Sequence, residues 1–407
     1  DRHVYFEFDA EGYRVGLDKA GRHAVSLFME SQGETTVRMR RVQAAERLHR
    51  LTGQGIYRES FLLGKSASIK NPNLNVLGQD SNLGVVYRNK IFWVWGDTFL
   101  PGAYDGNFAV SAATSLLPGD GGLDPDIGIN YTYFVDDRGN SRPMIKLEGP
   151  GYTWFEWLFP MRDAYGVERL VAKYARIGGL FQNYERGIAV YHDSLEVFQK
   201  YREVPEWLEG FAVMQHPFLA ENGESTHMYS SAEFDLKRVV PHLDSVGSPE
   251  SYRTFTCLKA GTDFDSEKPE LDRDSNGRLI YDWKASTDAI DAARQSQLIQ
   301  SGHMQPGEAW IQLRDMVTNE QHRVRRGSIN WNEYRQKWLL IAQGDGDDLG
   351  NVVYAEADSP IGPWSYVRKL ALRWWRPTMP TISTKMTPTR MKSCWQSRAA
   401  SSGTTQS

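Results

Sequence analysis

Cysteine is nearly missing from this chain of 407 residues: Cys257 and Cys394 are the only two. Two thiols are too few for a disulfide scaffold and lack the C-x-x-C spacing of a structural zinc site. Long apolar stretches are missing as well. Uncharged runs such as Ile91 to Trp95 fall far short of the roughly 18 residues that a membrane-spanning helix needs, so no membrane span is expected. There is no excess of positive charge, with 47 Lys and Arg against 51 Asp and Glu, and no basic stripe. A surface built to neutralise nucleic-acid phosphates is therefore not expected. G-x-G-x-x-G, P-loop and G-x-S-x-G motifs are absent, which removes the usual support for nucleotide and serine-hydrolase chemistry. Acidic residues are absent from Ser359 to Ser407. The chain starts at Asp1 without an apolar leader and reads as processed or as a fragment.

What is present is hydrophobic and aromatic residue in plenty, 40% and 12% of the chain, enough for two or three cores. Period-2 segments of aromatic and β-branched residues, broken by Gly, Asn and Asp turns, predict an all-β protein of many short antiparallel strands. Val85 to Tyr87, Arg88-Asn89-Lys90 and Ile91 to Trp95 read as a hairpin closing at Gly96-Asp97-Thr98. Trp154 to Met161 turns through Arg162 to Gly166 into Leu170 to Ile177, and Gly187 to Val190 turns through His192-Asp193 into Glu196 to Phe198. A third unit runs from Phe211 through Glu221-Asn222-Gly223 to Ser230, and a fourth from Ser328 to Val367. Such units bury both faces when arranged as blades of a β-propeller, which also protects their edges; jelly rolls and sandwiches are the alternatives. One helix is expected over Ala285 to Ser301, stopped by Gly302, as an insertion between blades. Three regions result: 1–50 as a small β-sandwich-like segment, 51–369 as the propeller, and 370–407 as a basic tail carrying six Lys and Arg. That tail reads either as solvated chain or as the product of truncation or a reading-frame accident.

In a propeller the strands nearest the axis bring distant residues to one mouth, so polar residues where those strands open are the candidates for chemistry. Asp80, ahead of the first hairpin, suits a general base or an Asx-type turn. Asp97 closes the same hairpin and reads as turn chemistry, with substrate contact as the alternative. Glu156 lies inside Trp154-Phe155-Glu156-Trp157-Leu158-Phe159, where a lone carboxylate is costly to bury. Either its acidity is tuned for proton transfer, or it simply points to water. His216, before Pro217, is a candidate proton donor or a structural histidine. Arg326, Asn330 and Trp331, with Trp154, offer the amide, charge and ring surfaces that a pyranose needs, or serve blade packing. Asp163 fits a turn. Asp272, Asp274, Asn276 and Gly277 resemble half of a calcium loop, but Trp283 stands where its bidentate Glu belongs, so an Asn-Gly turn is expected.

The order of these units resembles five-bladed β-propeller glycoside hydrolases, the arabinanase and β-xylosidase group and its anhydrogalactosidase relatives. The resemblance rests on Asp80 ahead of a hairpin, Glu156 ahead of Phe159 and the Arg162-Asp163 to Gly166 turn, Gln215-His216-Pro217-Phe218, and Ala357-Asp358-Ser359-Pro360-Ile361-Gly362-Pro363-Trp364. It covers about residues 75 to 369. It implies Asp80 as general base, Glu156 as the second-blade carboxylate that tunes and orients, and His216 as acid, in hydrolysis of a poly- or oligosaccharide. It also implies that no organic cofactor is required, that a structural divalent cation is compatible with the channel, and that the protein is extracellular or periplasmic. Glu156 departs from the family's Asp, and Gln215 or His216 stands where a Glu is usual. The chain ends where a last blade is due, and a strand from Ile56 to Leu63 is a candidate for closure. A non-catalytic glycan-binding propeller is the competing expectation.

Overall fold

The computed structural model describes residues 2–8, 13–30, 33–42, 44–45, 51, 76, 78–100, 110–122, 129–178, 182–204, 216–222, 225–229, 236–344 and 351–370. Asn222, Arg325 and Arg326 are described by backbone alone. The expected strand from Ile56 to Leu63, Phe211 to Gln215 and nearly all of the 370–407 tail lie outside these residues.

Near the start are two small antiparallel pairs: β1 (Arg2–Glu7) with β3 (Ala24–Met29), and β2 (Tyr13–Arg14) with β4 (Arg40–Arg41). β5 (Gly78–Gln79) then leads into β6 (Leu83–Tyr87), β7 (Lys90–Trp95) and β8 (Thr98–Phe99), with β5 paired to β8. β9 (Ser111–Ser115) and β10 (Thr132–Tyr133) complete a first four-stranded sheet in the order β10-β9-β7-β6. The turn between β6 and β7 has Arg88 and Asn89 both at positive φ, 50° and 57°, the two-residue hairpin geometry whose twist matches that of the strands.

The second sheet is a simple meander of β11 (Tyr152–Arg162), β12 (Glu168–Ile177), β13 (Asn183–His192) and β14 (Val197–Glu203). The third has five strands in sequence order: β15 (Phe218–Asn222), β16 (Ser225–Tyr229), β17 (Lys237–Val239), β18 (Arg253–Thr256) and β19 (Asp282–Lys284). A short helix α1 (Leu243–Val246) follows β17. Between the third and fourth sheets lies α2 (Ala292–Gln300). It starts seven residues later than the expected Ala285, because Asp291 caps it: its side chain accepts a hydrogen bond from the Arg294 amide at 2.8 Å. Gly302, at φ 79°, stops it as expected. β20 (Ile311–Asp315), β21 (Val324–Asn332), β22 (Lys337–Gly344), β23 (Val352–Ala357) and β24 (Trp364–Leu370) form the fourth sheet, with β20 added parallel to β24 at its outer edge. The fourth unit thus opens at Val324 rather than at Ser328.

The sheets pack face to face in chain order. Phe92, Leu158, Tyr174 and Phe198 fill the space between the first and second sheets. Trp157, Met161, Ile188, Met228 and Val246 fill that between the second and third, and Phe218, Leu340, Val353 and Trp364 that between the third and fourth. The protein is all-β with few helices in a β-propeller arrangement, and four blades stand among the described residues. Inner strands such as β7 and β12 are buried almost continuously because both faces of a blade meet a neighbour, which is why aromatic residues fall in both phases of the side-chain alternation.

Candidate active site

The opening of the first blade is a distorted hairpin. Gln79 pairs with Thr98 and Leu83 with Val94, so the register is unchanged across residues 80–82, but Ser81 takes φ 53° and the ladder is interrupted there. The backbone of Asp80 bonds across the break, its amide to the Asp97 carbonyl at 3.1 Å and its carbonyl to the Gly96 amide at 2.9 Å. Gly96 is needed for this approach: a Cβ there would stand 3.1 Å from Ser81 Cβ and 3.3 Å from Asp80 Oδ1. Asp80 Oδ1 in turn accepts the Asp97 amide at 3.3 Å. The two aspartates are therefore adjacent, although 17 residues apart.

The second blade reaches this pair through Trp154, whose indole N–H donates to Asp97 Oδ1 at 2.8 Å. Asp97 is thus more than a turn residue, and Trp154 spends its polar edge on it. Burial pushes the Asp97 carboxyl above the usual range; the indole hydrogen bond opposes this, and the charge of Asp80 adds to the rise. Beneath the pair a buried polar network fixes the strands: Gln79 Nε2 donates to Ser111 Oγ at 3.0 Å, Tyr133 Oη to Gln79 Oε1 at 3.3 Å, and Thr98 and Ser111 hydroxyls meet at 2.6 Å.

Glu156 occupies a β-bulge: Phe155 pairs with Tyr174 and Trp157 with Lys173, leaving Glu156 as the extra residue. A bulge re-aims the side chain it carries, and here Glu156 points toward the third blade together with Trp157. It is not the lone desolvated acid expected from its apolar surroundings. Its Oε2 lies 2.6 Å from Lys173 Nζ and its Oε1 3.2 Å from Arg186 Nε. At 2.6 Å the Lys173 contact is a close ion pair. Lys173 is fully buried, and burial pushes its ammonium pKa down while Glu156 opposes that fall; Arg186 and Lys237 lower it further. Lys173 and Arg186 escaped the sequence reading, although a lysine inside Leu170 to Ile177 is the same signal that marked Glu156.

His216 stands two residues before β15, where the third blade opens, and keeps part of its surface in solvent. The protein packed around the imidazole nonetheless pushes its pKa below the ordinary histidine value. Asn330 and Trp331 do not open the fourth blade. They lie at the close of β21, beside the Glu333–Gln336 turn, about seven residues or roughly 23 Å along the strand from its start. There Trp331 packs edge-on against Trp338 with ring centroids 5.7 Å apart. Of Arg326 only the backbone, within β21, is described. Asp163 is a turn residue, its Oδ1 accepting the Tyr165 and Val167 amides. Asp274 likewise closes an Asx-type turn through the Asn276 and Arg278 amides, and Asp272 pairs with Lys284 at 2.7 Å.

The structure therefore joins Asp80, Asp97 and Trp154 by hydrogen bonds and places Glu156 two residues further along the same strand as Trp154. An acid above its usual range beside a second carboxylate, with an indole at their side, suits proton transfer at a polar, partly enclosed substrate.

No protein-family model and no curated protein sequence matches the chain. Among solved structures it is similar to an exo-β-1,3-galactanase from Phanerochaete chrysosporium with β-1,3-galactotriose (TM-score 0.35, 11% identity), over 71% of this chain and 49% of that one. It is also similar to a GH43_1 enzyme from Xanthomonas citri complexed with xylotriose (TM-score 0.35, 10% identity, 76% and 78% of the two chains). A third similar structure is the catalytic domain of a GH62 α-L-arabinofuranosidase from Coprinopsis cinerea (TM-score 0.30, 10% identity, 74% and 69%). The matched span is thus about half the length of the galactanase.

Proposed function

We propose that the protein is a glycoside hydrolase that cleaves a poly- or oligosaccharide by general acid and base catalysis at the opening of its first two blades, within a propeller of the five-bladed type. The observation that carries this reading is the Asp80–Asp97 pair with Trp154 bonded to it. Hydrolysis at an anomeric carbon needs one group to protonate the leaving oxygen and another to activate water or attack. Asp80 takes the role of base. Asp97, held above the usual carboxylate range, suits the proton donor better than His216, whose lowered pKa leaves the imidazole largely uncharged near neutral pH. His216 then serves as a hydrogen-bonding group toward substrate. Glu156 is the orienting second-blade carboxylate, fixed by Lys173 and Arg186. No organic cofactor enters this scheme.

The sugar classes to try first are those of the similar structures: xylo-oligosaccharides, β-1,3-galactan and arabinofuranosyl-substituted xylan. The test is product formation by reducing-sugar assay and chromatography with wild type, Asp80→Asn and Asp97→Asn. Turnover that falls at least a hundredfold in both variants, with oligosaccharide binding kept, supports the proposal. Unaltered turnover in Asp80→Asn sinks it. The pairing of Glu156 with Lys173 and Arg186 favours a glycan-binding propeller as the second reading; that reading predicts binding without products.

A further inference from the structure

A cleft lies on the second blade, well away from Asp80 and Trp154. It has a volume of about 380 Å³ and is lined by Arg169 of β12, Val190 and His192 of β13, Ser194 of the following turn, and Gln199 and Tyr201 of β14. Arg169 pairs with Met161, seven residues along β11 from Trp154, a run of about 23 Å. The cleft is thus at the other end of the blade.

Its charged groups are already answered from within the protein. Arg169 Nε meets Asp163 Oδ2 at 2.8 Å. Lys200 Nζ meets Glu185 at 2.7 Å and Glu203 at 3.1 Å, and Asp193 takes the Arg88 guanidinium at 2.8 Å and the Tyr87 hydroxyl at 3.1 Å. An ionic ligand would have to break these pairs, whereas a neutral one leaves them intact. Exposed on its walls are the imidazole of His192, the hydroxyl of Ser194 and the amide of Gln199; Ser194 Oγ lies 3.2 Å from His192 Nδ1, which leaves His192 Nε2, the remaining capacity of the hydroxyl and the Gln199 amide as donors and acceptors. Tyr201 adds a flat apolar surface. It is the extra residue of a β-bulge, since Ile188 pairs with Arg202 and Ala189 with Lys200. It is 42% exposed, and its hydroxyl donates to Asp244 Oδ1 at 2.7 Å, which holds the ring by its tip. The Arg202 guanidinium lies over one face of the ring, 5.8 Å from its centroid, so the opposite face is the one available. A bulge that turns an anchored tyrosine ring outward beside amide and hydroxyl groups suits the apolar face and hydroxyls of a sugar.

We propose that this cleft is a second glycan-binding site, taking a neutral stretch of about two sugar rings, at the lower end of ligand-pocket size. It is carried by geometry separate from the Asp80–Asp97 pair and stands whether or not that pair is catalytic. The test is affinity electrophoresis of the full chain through gels containing arabinoxylan or β-1,3-galactan, on an Asp80→Asn background that removes turnover and leaves channel binding common to all variants. Tyr201→Ala is expected to weaken retardation about tenfold, and Ser194→Trp, which fills the cleft from an exposed turn, to do the same. Tyr201→Phe is expected to keep most of it, although it loses the Asp244 bond that a purely structural role would need. Equal retardation of all four proteins, or none in either polysaccharide, overturns the proposal.

Discussion

The ion-paired Glu156 gives the sharpest quantitative test of how the second and third blades are held together. Lys173 is wholly buried and 2.6 Å from Glu156 Oε2, while Glu156 keeps 17% of its side chain exposed and also meets Arg186 at 3.2 Å. Glu156→Gln leaves the Lys173 ammonium and the Arg186 guanidinium without their shared counter-charge. Breaking a buried pair from one side costs about 3–5 kcal/mol, and the residual exposure of Glu156 sets the expectation near 3 kcal/mol. Lys173→Met removes the buried cation but leaves Glu156 with Arg186, for a smaller loss of about 1–2 kcal/mol. The double variant Glu156→Gln/Lys173→Met removes the charge together with its fully buried partner, and Arg186 alone loses the Glu156 charge. Its loss is expected within about 1–2 kcal/mol of wild type, since neutral replacement of a buried pair is often close to neutral in stability. The coupling free energy is then at least about 2 kcal/mol. Urea unfolding of the four proteins, compared at constant m, measures it. Additivity of the two single losses to within about 0.5 kcal/mol refutes the reasoning.

Asp97 titration reads the other cluster independently of activity. Asp80→Asn removes a charge that raises the Asp97 pKa and is expected to lower it, whereas Trp154→Phe removes a hydrogen bond that lowers it and is expected to raise it; carbon-13 carboxyl titration by NMR that shifts the same way in both contradicts the assignment. For His216, whose folded-state pKa lies below the ordinary histidine value of 6.5, the unfolded chain takes up the proton first, so this group costs stability as pH falls below about 6.5. His216→Gln is expected to flatten the acid loss of thermal stability between about pH 6.5 and 5, and an unchanged profile argues against it. At Gly187 a Cβ would stand 2.4 Å from the Arg202 carbonyl oxygen and 2.7 Å from Tyr174 Oη. Gly187→Ala is expected to lower the midpoint of urea unfolding by a loss of about 1–3 kcal/mol through overpacking, and a stabilising effect would show that the strands can part.

What the amino-acid sequence determined by itself was local. Alternation along Ile91 to Trp95 and Leu170 to Ile177, and turn residues at Arg88-Asn89, Asp163 to Gly166 and Asp274 to Gly277, mark strands and hairpins, because their hydrogen bonds join residues close along the chain. Those signals led to an all-β body of repeated blades, and to Asp80 and Glu156 as unusual residues in it. The tertiary structure alone decided what the residues meet. Trp154 finds Asp97 across 57 positions, and Glu156 finds Lys173 on the adjacent strand and Arg186 on the one beyond it because a bulge turns it out of strict alternation. One inserted residue reverses which face a side chain takes, and no periodicity records it. The same holds for Asn330 and Trp331, whose residue types suit a sugar site but whose place at the far end of β21 is set by where that strand begins. Charge partners, burial and the acidity of Asp97 follow from the packing of one blade on the next, a relation between segments far apart in the chain.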